Sequence, residues 1–306
     1  MKIVIIGAGA VGGYFGGRLA EAGLDVTFLV REKRAKQLQS TGLVIKSSLG
    51  ELTIHPKLAV DIREIEACDL VLLAIKNYQL AATLPQLGYL VRLGAKILPL
   101  LNGVEHFDIL AKEFGRENVL GGLCRIVSTL DKEGTIIHSG QMHEIVFGPL
   151  QPAQEYFCSQ VNEALTKATF KIKLSHDIMM DIWVKYGFIT AFAGVTTAGR
   201  LSTDEINEIE ATKEIFAQAL REMFNLARVS GIKMPDDFVE QHVEGIRYYA
   251  KGSTSSMNQD LRKGLPLEVE SLQGAAIRIA GRFDVEVPTI RTFYGLIKPY
   301  EQGLNS

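Results

Sequence analysis

The feature that most narrows the fold lies at the very start of the chain. Residues 2–13 read K-I-V-I-I-G-A-G-A-V-G-G, so Gly7, Gly9 and Gly12 form G-x-G-x-x-G between an aliphatic run and an apolar, helix-spaced stretch. In that setting each glycine has a task. One permits a tight turn, one lets the backbone approach a pyrophosphate, and one allows close helix-to-strand packing, while the helix N-terminus faces the phosphates. The ligand implied is a dinucleotide. The same stretch behind Lys2 is apolar enough to suggest a signal peptide, but its dense glycines and the lack of an A-x-A-like site mark it as folded and retained.

The next stretch of chain repeats the pattern. Short apolar runs at 3–6, 26–30, 70–75 and 96–98 read as parallel strands buried on both faces, and 11–22, 33–39 and 79–87 read as the helices between them. That is a Rossmann-type, doubly wound α/β sheet. Residues 42–54 read as a hairpin turning at Gly50, and 119–127, 135–138 and 145–147 as an antiparallel extension of the same sheet. From residue 178 onward the periodicity is helical: 178–193, 204–229, 236–249 and 269–282, with one or two turns at 256–261. The fold expected is therefore α/β, a Rossmann domain over 1–172 followed by an all-α domain over 173–306, a division that suits 306 residues.

Composition limits the partners. Lys plus Arg number 33 against 35 Asp plus Glu, so a net charge of −2 provides no general field for nucleic acid or an anionic membrane. A small molecule is the expected partner. Cys68, Cys124 and Cys158 are dispersed and odd in number, which fits a reduced, cytoplasmic protein rather than a disulfide framework or a zinc site. The six histidines are scattered, His138 and His143 included, and no metal is implied. Apolar runs such as 70–75 end well short of the roughly 18 residues that a membrane span needs.

The end of the second strand selects the dinucleotide. An acidic residue there binds the ribose 2′-hydroxyl, whereas arginine can receive a 2′-phosphate. The sequence V-T-F-L-V-R-E puts Arg31 at that point, with Arg34 and Lys36 close behind, so NADPH is expected; Glu32 keeps NAD as the alternative. Ligands of such sheets bind beyond the carboxyl ends of the strands. Lys76, after the 70–75 run, and Asn102, after 97–101, fall there and are expected to contact cofactor or substrate.

Ordered motifs extend the reading. A-I-K-N-Y-Q at 74–79, L-N-G-V at 101–104, I-W-V-K at 182–185, S-S-M-N-Q-D at 255–260 and L-E-V-E at 267–270 join the fingerprint. Together they resemble ketopantoate reductases (2-dehydropantoate 2-reductases) over almost the whole chain. The resemblance implies NADPH-dependent reduction of 2-dehydropantoate to pantoate, towards pantothenate and coenzyme A. It also implies Lys185 as proton donor, Glu268 as the carboxylate that orients substrate and lysine, and Ser256 as a holder of the substrate carboxylate.

Each residue also has a plainer role. Lys185 could pair with Asp181 at i, i+4 for about 0.2–0.5 kcal/mol; facing a cleft, its ammonium could protonate a developing alkoxide, typically for ~10²- to 10⁴-fold in rate. Glu268 could favour the N-terminus of a helix starting near Val269. Ser256 with Gln259 spells a capping box. Where family members usually carry asparagine one and two turns after the lysine, this chain has Ile189 and Ala193, and Ser253 replaces another asparagine. Ile189 is expected to line the substrate site, where it offers the ketopantoate hydroxyl no partner. Two alternatives remain: a reductase of another 2-keto acid, or another hydroxyacid or polyol dehydrogenase, and a catalytically silent dinucleotide sensor. Retention of Lys185 and Glu268 argues against the sensor. A homodimer is compatible with all of these.

Overall fold

A computed structural model describes residues 1–303 and divides the chain into two compact units. The first comprises Met1–Leu101 and His106–Ile178; the second comprises Asn102–Glu105 and the chain from Met179 onward.

The first unit opens with β1 (Lys2–Ile6), α1 (Ala10–Glu21), β2 (Asp25–Leu29) and α2 (Glu32–Thr41). The hairpin β3 (Leu43–Ser47) and β4 (Leu52–Ile54) follows, then β5 (Lys57–Ala59), β6 (Leu70–Leu73), α3 (Leu80–Arg92), β7 (Lys96–Pro99) and α4 (Glu105–Phe114). Five strands form one parallel sheet in the order β5-β2-β1-β6-β7. Ile3, Ile5, Phe28, Leu70, Leu72 and Leu98 are buried in it, which is why these strands are written as continuous apolar runs.

The long strands β8 (Gly121–Leu130) and β9 (Ile136–Gly148) do not extend that sheet, contrary to the sequence expectation. They build a second one. β9 pairs antiparallel with β8 and parallel with both β3 and β10 (Lys171–Leu174), and β3 brings its antiparallel partner β4. Among the described residues, only the bridge Ile97↔Val119 continues from β7 towards β8. Directly afterwards the chain crosses over β7: a Cβ on Gly122 would lie 2.3 Å from the Leu98 side chain and 2.6 Å from the Pro99 carbonyl oxygen. Such a crossing takes β8 away from the edge of the first sheet. Helix α5 (Glu155–Leu165) packs by its buried Cys158, Val161 and Leu165. Because β10 belongs to the second sheet, the first unit continues to Ile178 rather than ending at residue 172.

The second unit is helical. Its centre is α6 (Ile178–Gly199), followed by α7 (Thr203–Glu208), α8 (Glu210–Val229), α9 (Phe238–Gly245), α10 (Ser256–Arg262), α11 (Ala275–Phe283) and α12 (Pro288–Ile297). By length and composition α6 could cross a membrane, contrary to the reading of the apolar runs, yet 67% of its most apolar window is buried inside the protein. It is a core helix. The periodic stretch 204–229 is split at Ile209, whose extended backbone (φ −102°, ψ 108°) ends α7 and starts α8. Helix α12 starts with Pro288 at its first turn, and the buried Glu222 carboxylate of α8 accepts the backbone N–H groups of Thr289 and Ile290, each at 3.0 Å.

Candidate functional site

In the first unit the fingerprint glycines divide their work as the motif requires. Gly7 adopts φ +98°, and a Cβ there would lie 2.4 Å from the Ala74 carbonyl oxygen at the end of β6. At Gly12 a Cβ would be 2.2 Å from the Gly7 carbonyl oxygen. Both glycines let α1 and the strand ends approach. Gly9 is different: it precedes the first residue of α1, and nothing lies within 4 Å of the position its Cβ would take. Open space over a helix N-terminus whose backbone could not otherwise be approached suits a dinucleotide pyrophosphate.

The neighbouring strand ends supply charge. Arg31 is exposed and immediately precedes α2 at the carboxyl end of β2. Lys76 lies just past β6, where its backbone N–H donates to Gln79 Oε1 at 3.2 Å. Arg34, by contrast, turns away. Its Nη1 donates to Gln37 Oε1 at 2.6 Å and to the Gly134 carbonyl at 3.1 Å, fixing the β8–β9 turn, and burial lowers its pKa. Arg31 is left as the exposed guanidinium of this edge.

In the second unit three sequence-expected residues come together. Lys185 Nζ donates to Asn102 Oδ1 at 3.0 Å, and Asn102 Nδ2 faces Glu268 Oε2 at 3.5 Å. Glu268 is buried and Lys185 is half-buried. Asp181, one turn before the lysine, is also buried, so an exposed surface pair is not the lysine's setting. The α-helix expected at 269–282 begins instead with a π-helical turn, Glu270–Gly274, closed by the Gly274 N–H donating to the Val269 carbonyl. Such turns are frequent at functional sites. Two bonds lock it to α6: Tyr186 Oη donates to the Leu272 carbonyl at 2.9 Å, and Gln273 Nε2 donates to the Thr190 carbonyl at 2.7 Å. Burial pushes the Tyr186 phenol far above its ordinary range and keeps it a donor.

Two expected substrate contacts fall in the same unit. Ile189 is half-buried, one turn beyond Lys185, and Ala193, two turns beyond, is buried. Ser256 is exposed in the first turn of α10, but the cap is not its own. Ser255 Oγ accepts the Asn258 N–H at 3.1 Å and the Thr196 hydroxyl at 2.7 Å, so the capping reading moves back one residue. Only Ser256 has a glutamine three residues on, so the pattern pointed to it; Ser255, with Asn258 at that place, caps by its hydroxyl alone because it is the residue that precedes the helix.

One residue that sequence reasoning missed is Arg278. Its Nε and Nη2 fork the Glu105 carboxylate at 3.1 and 2.6 Å, while Nη1 reaches Glu270 Oε2 at 2.7 Å. Tyr294 Oη donates to the other Glu270 oxygen at 2.6 Å, and Lys298 Nζ also donates there. Burial raises the Glu270 pKa, but the donors Lys298, Tyr294 and Arg278 outweigh it and bring it down to about 2.

A glycine-turn dinucleotide fold joined to a helical unit that presents a lysine, an amide and a carboxylate defines a nicotinamide-type oxidoreductase. The chain belongs to the ketopantoate reductase family. The family model Ketopantoate reductase PanE/ApbA matches residues 3–152, and its C-terminal counterpart matches 177–301. The Bacillus subtilis protein described as uncharacterized oxidoreductase YkpB is 36% identical over 301 residues, covering 98% of this chain and 99% of that protein. A 2-dehydropantoate 2-reductase of Nostoc is 28% identical, covering 97% and 94%. Among solved structures, the 2-dehydropantoate 2-reductase of Geobacter metallireducens matches with a TM-score of 0.92 at 25% identity, covering 98% and 99%. D-mandelate dehydrogenase with NADH and anilino(oxo)acetate shares the fold, with a TM-score of 0.90 at 23% identity over 98% of each chain.

Proposed function

We propose that the protein is an NADPH-dependent reductase of 2-keto acids, and that 2-dehydropantoate, reduced to pantoate in pantothenate and coenzyme A biosynthesis, is its substrate. The observation that carries this reading is the Lys185–Asn102–Glu268 arrangement, at 3.0 and 3.5 Å. Bound NADPH supplies the hydride that reduces the keto carbon. Everything else falls to the chain. Gly7 and Gly12 shape the turn, Gly9 leaves the pyrophosphate its space, Arg31 pairs with the 2′-phosphate, and Lys76 pairs with cofactor or substrate charge.

Asn102 holds the lysine by its amide oxygen, 3.0 Å from Nζ. As the carbonyl oxygen gains negative charge, Lys185 Nζ gives it a proton and becomes a neutral amine, to be reprotonated from solvent. Glu268 orients the substrate and the lysine. Ser256 and the first turn of α10 hold the substrate carboxylate. We place the enzyme in the cytoplasm, in keeping with three buried free cysteines. We also propose a homodimer, the state described for a ketopantoate reductase of Staphylococcus aureus with the same fold (TM-score 0.84, 21% identity).

One feature favours a second substrate reading. Ile189 and Ala193 give Lys185's helical face an apolar continuation, suited to a 2-keto acid without a hydroxyl. Both readings are tested together by following absorbance at 340 nm with NADPH or NADH against a panel of 2-keto acids. Fastest turnover of 2-dehydropantoate with NADPH is the expected result. Preference for 2-ketoisovalerate supports the second reading, and no turnover across the panel rejects both.

A further inference from the structure

Asn102 and Glu268 lie 166 residues apart on two separate segments, and one guanidinium grips both segments. Arg278 forks Glu105, three residues after Asn102, through Nε at 3.1 Å and Nη2 at 2.6 Å. The same side chain donates from Nη1 to Glu270 Oε2 and from Nη2 to the Glu270 carbonyl, each at 2.7 Å, two residues after Glu268. Glu270 is in turn held by Tyr294 and Lys298 of the last helical stretch.

Between these grips the segments touch. Gly103 adopts φ +86°, and a Cβ there would lie 2.5 Å from the Ser271 carbonyl oxygen, a separation that only glycine tolerates. Ser271 Oγ donates to the Glu268 carbonyl at 3.1 Å. Asn102 therefore starts a short segment whose placement depends on its contacts with the π-helical turn. Its own bonds have little tolerance, since the contact to Glu268 is already 3.5 Å long. Arg278 is 45% exposed, and ion pairs as exposed as this one add little to stability. What a forked guanidinium adds is direction, fixing the plane and distance of a carboxylate in a way a lysine cannot.

We propose that Arg278 is a positioning residue: by bridging Glu105 and Glu270 it holds Asn102 in register between the Lys185 ammonium and the Glu268 carboxylate. The proposal rests on Lys185 being the proton donor. A displacement of about 1 Å at a reacting group can cost up to ~10²-fold in rate, so a loss of about ten-fold in kcat is expected for Arg278→Gln. Arg278→Lys keeps the charge but loses the fork, and should recover little of that loss.

The test combines kinetics with a probe of the lysine itself. NADPH affinity, measured by fluorescence titration, should be unchanged in Arg278→Gln, while kcat falls and the keto acid KM rises. Glu105→Gln should give the same pattern, and the double variant should be no worse than either single one. In protein whose lysines carry ¹³C-methyl groups, the Lys185 resonance, assigned through Lys185→Arg, should shift in Arg278→Gln. Wild-type kcat and an unmoved resonance would overturn the proposal. So would a rate loss fully restored by Arg278→Lys, because charge alone would then suffice. If Arg278→Gln does not fold, Glu105→Gln breaks the same fork from its other end with the same two readouts. The resonance needs no turnover, so a wild-type protein inactive on every keto acid would overturn the reductase reading while the positioning role is still tested.

Discussion

Lys185 donates to Asn102 at 3.0 Å across 83 residues of sequence, and this bond joins the longest helix of the protein to the segment that directly follows β7. An amide oxygen is a useful partner for an acid. It accepts from the ammonium without neutralising it, so the proton remains transferable. Lys185→Ala is therefore expected to lower kcat by at least about 100-fold, with little change in NADPH affinity. Steady-state kinetics with cofactor titration measure both, and near-normal turnover would reduce Lys185 to a structural residue.

The glycine turn makes a second claim. Nothing lies within 4 Å of a Cβ placed on Gly9, so Gly9→Val should fold normally and lose dinucleotide binding, its side chain occupying the space left for the pyrophosphate. Gly7→Ala is the contrast: at φ +98° and 2.4 Å from the Ala74 carbonyl, it should destabilise the fold itself. Circular dichroism melts separate the two effects. Normal NADPH binding by Gly9→Val would remove the fingerprint from cofactor binding.

Arg31→Ala tests the choice of cofactor. A charge-assisted bond to the 2′-phosphate should be worth about 1.5–3 kcal/mol, roughly 10- to 150-fold in affinity, and NADH cannot make it. Arg34→Ala should affect both cofactors alike, because that guanidinium is bonded to Gln37 and Gly134. Equal weakening of NADPH and NADH by Arg31→Ala would leave the 2′-phosphate without its expected partner.

Acid should release the Glu270 network in a defined window. Burial raises its pKa, but Lys298, Tyr294 and Arg278 draw it down to about 2 from an ordinary value of 4.5. A lowered carboxylate contributes its full stability above the unfolded value and loses it as pH falls through the folded one. The wild-type melting temperature should fall more steeply between about pH 4.5 and pH 2 than that of Glu270→Gln. Parallel curves for the two proteins would show that these ion pairs do not distinguish the folded from the unfolded state.

How much of this was legible depends on what each residue touches. The runs at 3–6 and 70–75 announced β1 and β6 because both faces of those strands are buried. β10 went unseen because it alternates lysine with an aliphatic residue at a sheet edge, and it pairs with a strand 27 residues upstream. The separate second sheet was illegible for the same reason, since long-range register leaves no local pattern. Asn102 was legible as N-G beyond a strand, and Lys185 through the I-W-V-K motif at 182–185. Arg278 looked like any helix-surface arginine; its meaning depends on Glu105, 173 residues away.

Ile189 bears the sharpest question about the substrate. It lies one turn beyond Lys185 on the same face of α6 and is half-buried, with Ala193 buried behind it. A buried substrate hydroxyl left without a partner costs about 1–3 kcal/mol, so the wall should discriminate little in favour of a keto acid that carries one. In Ile189→Asn, the ratio of kcat/KM for 2-dehydropantoate to that for 2-ketoisovalerate should rise by roughly ten-fold if one hydrogen bond is restored. The comparison is internal to each protein, so a general loss of activity in the variant does not obscure it. An unchanged ratio would mean that Ile189 does not touch the part of the substrate where the two acids differ, and would move the search for the specificity determinant to the neighbourhood of Ser253 and Ser256.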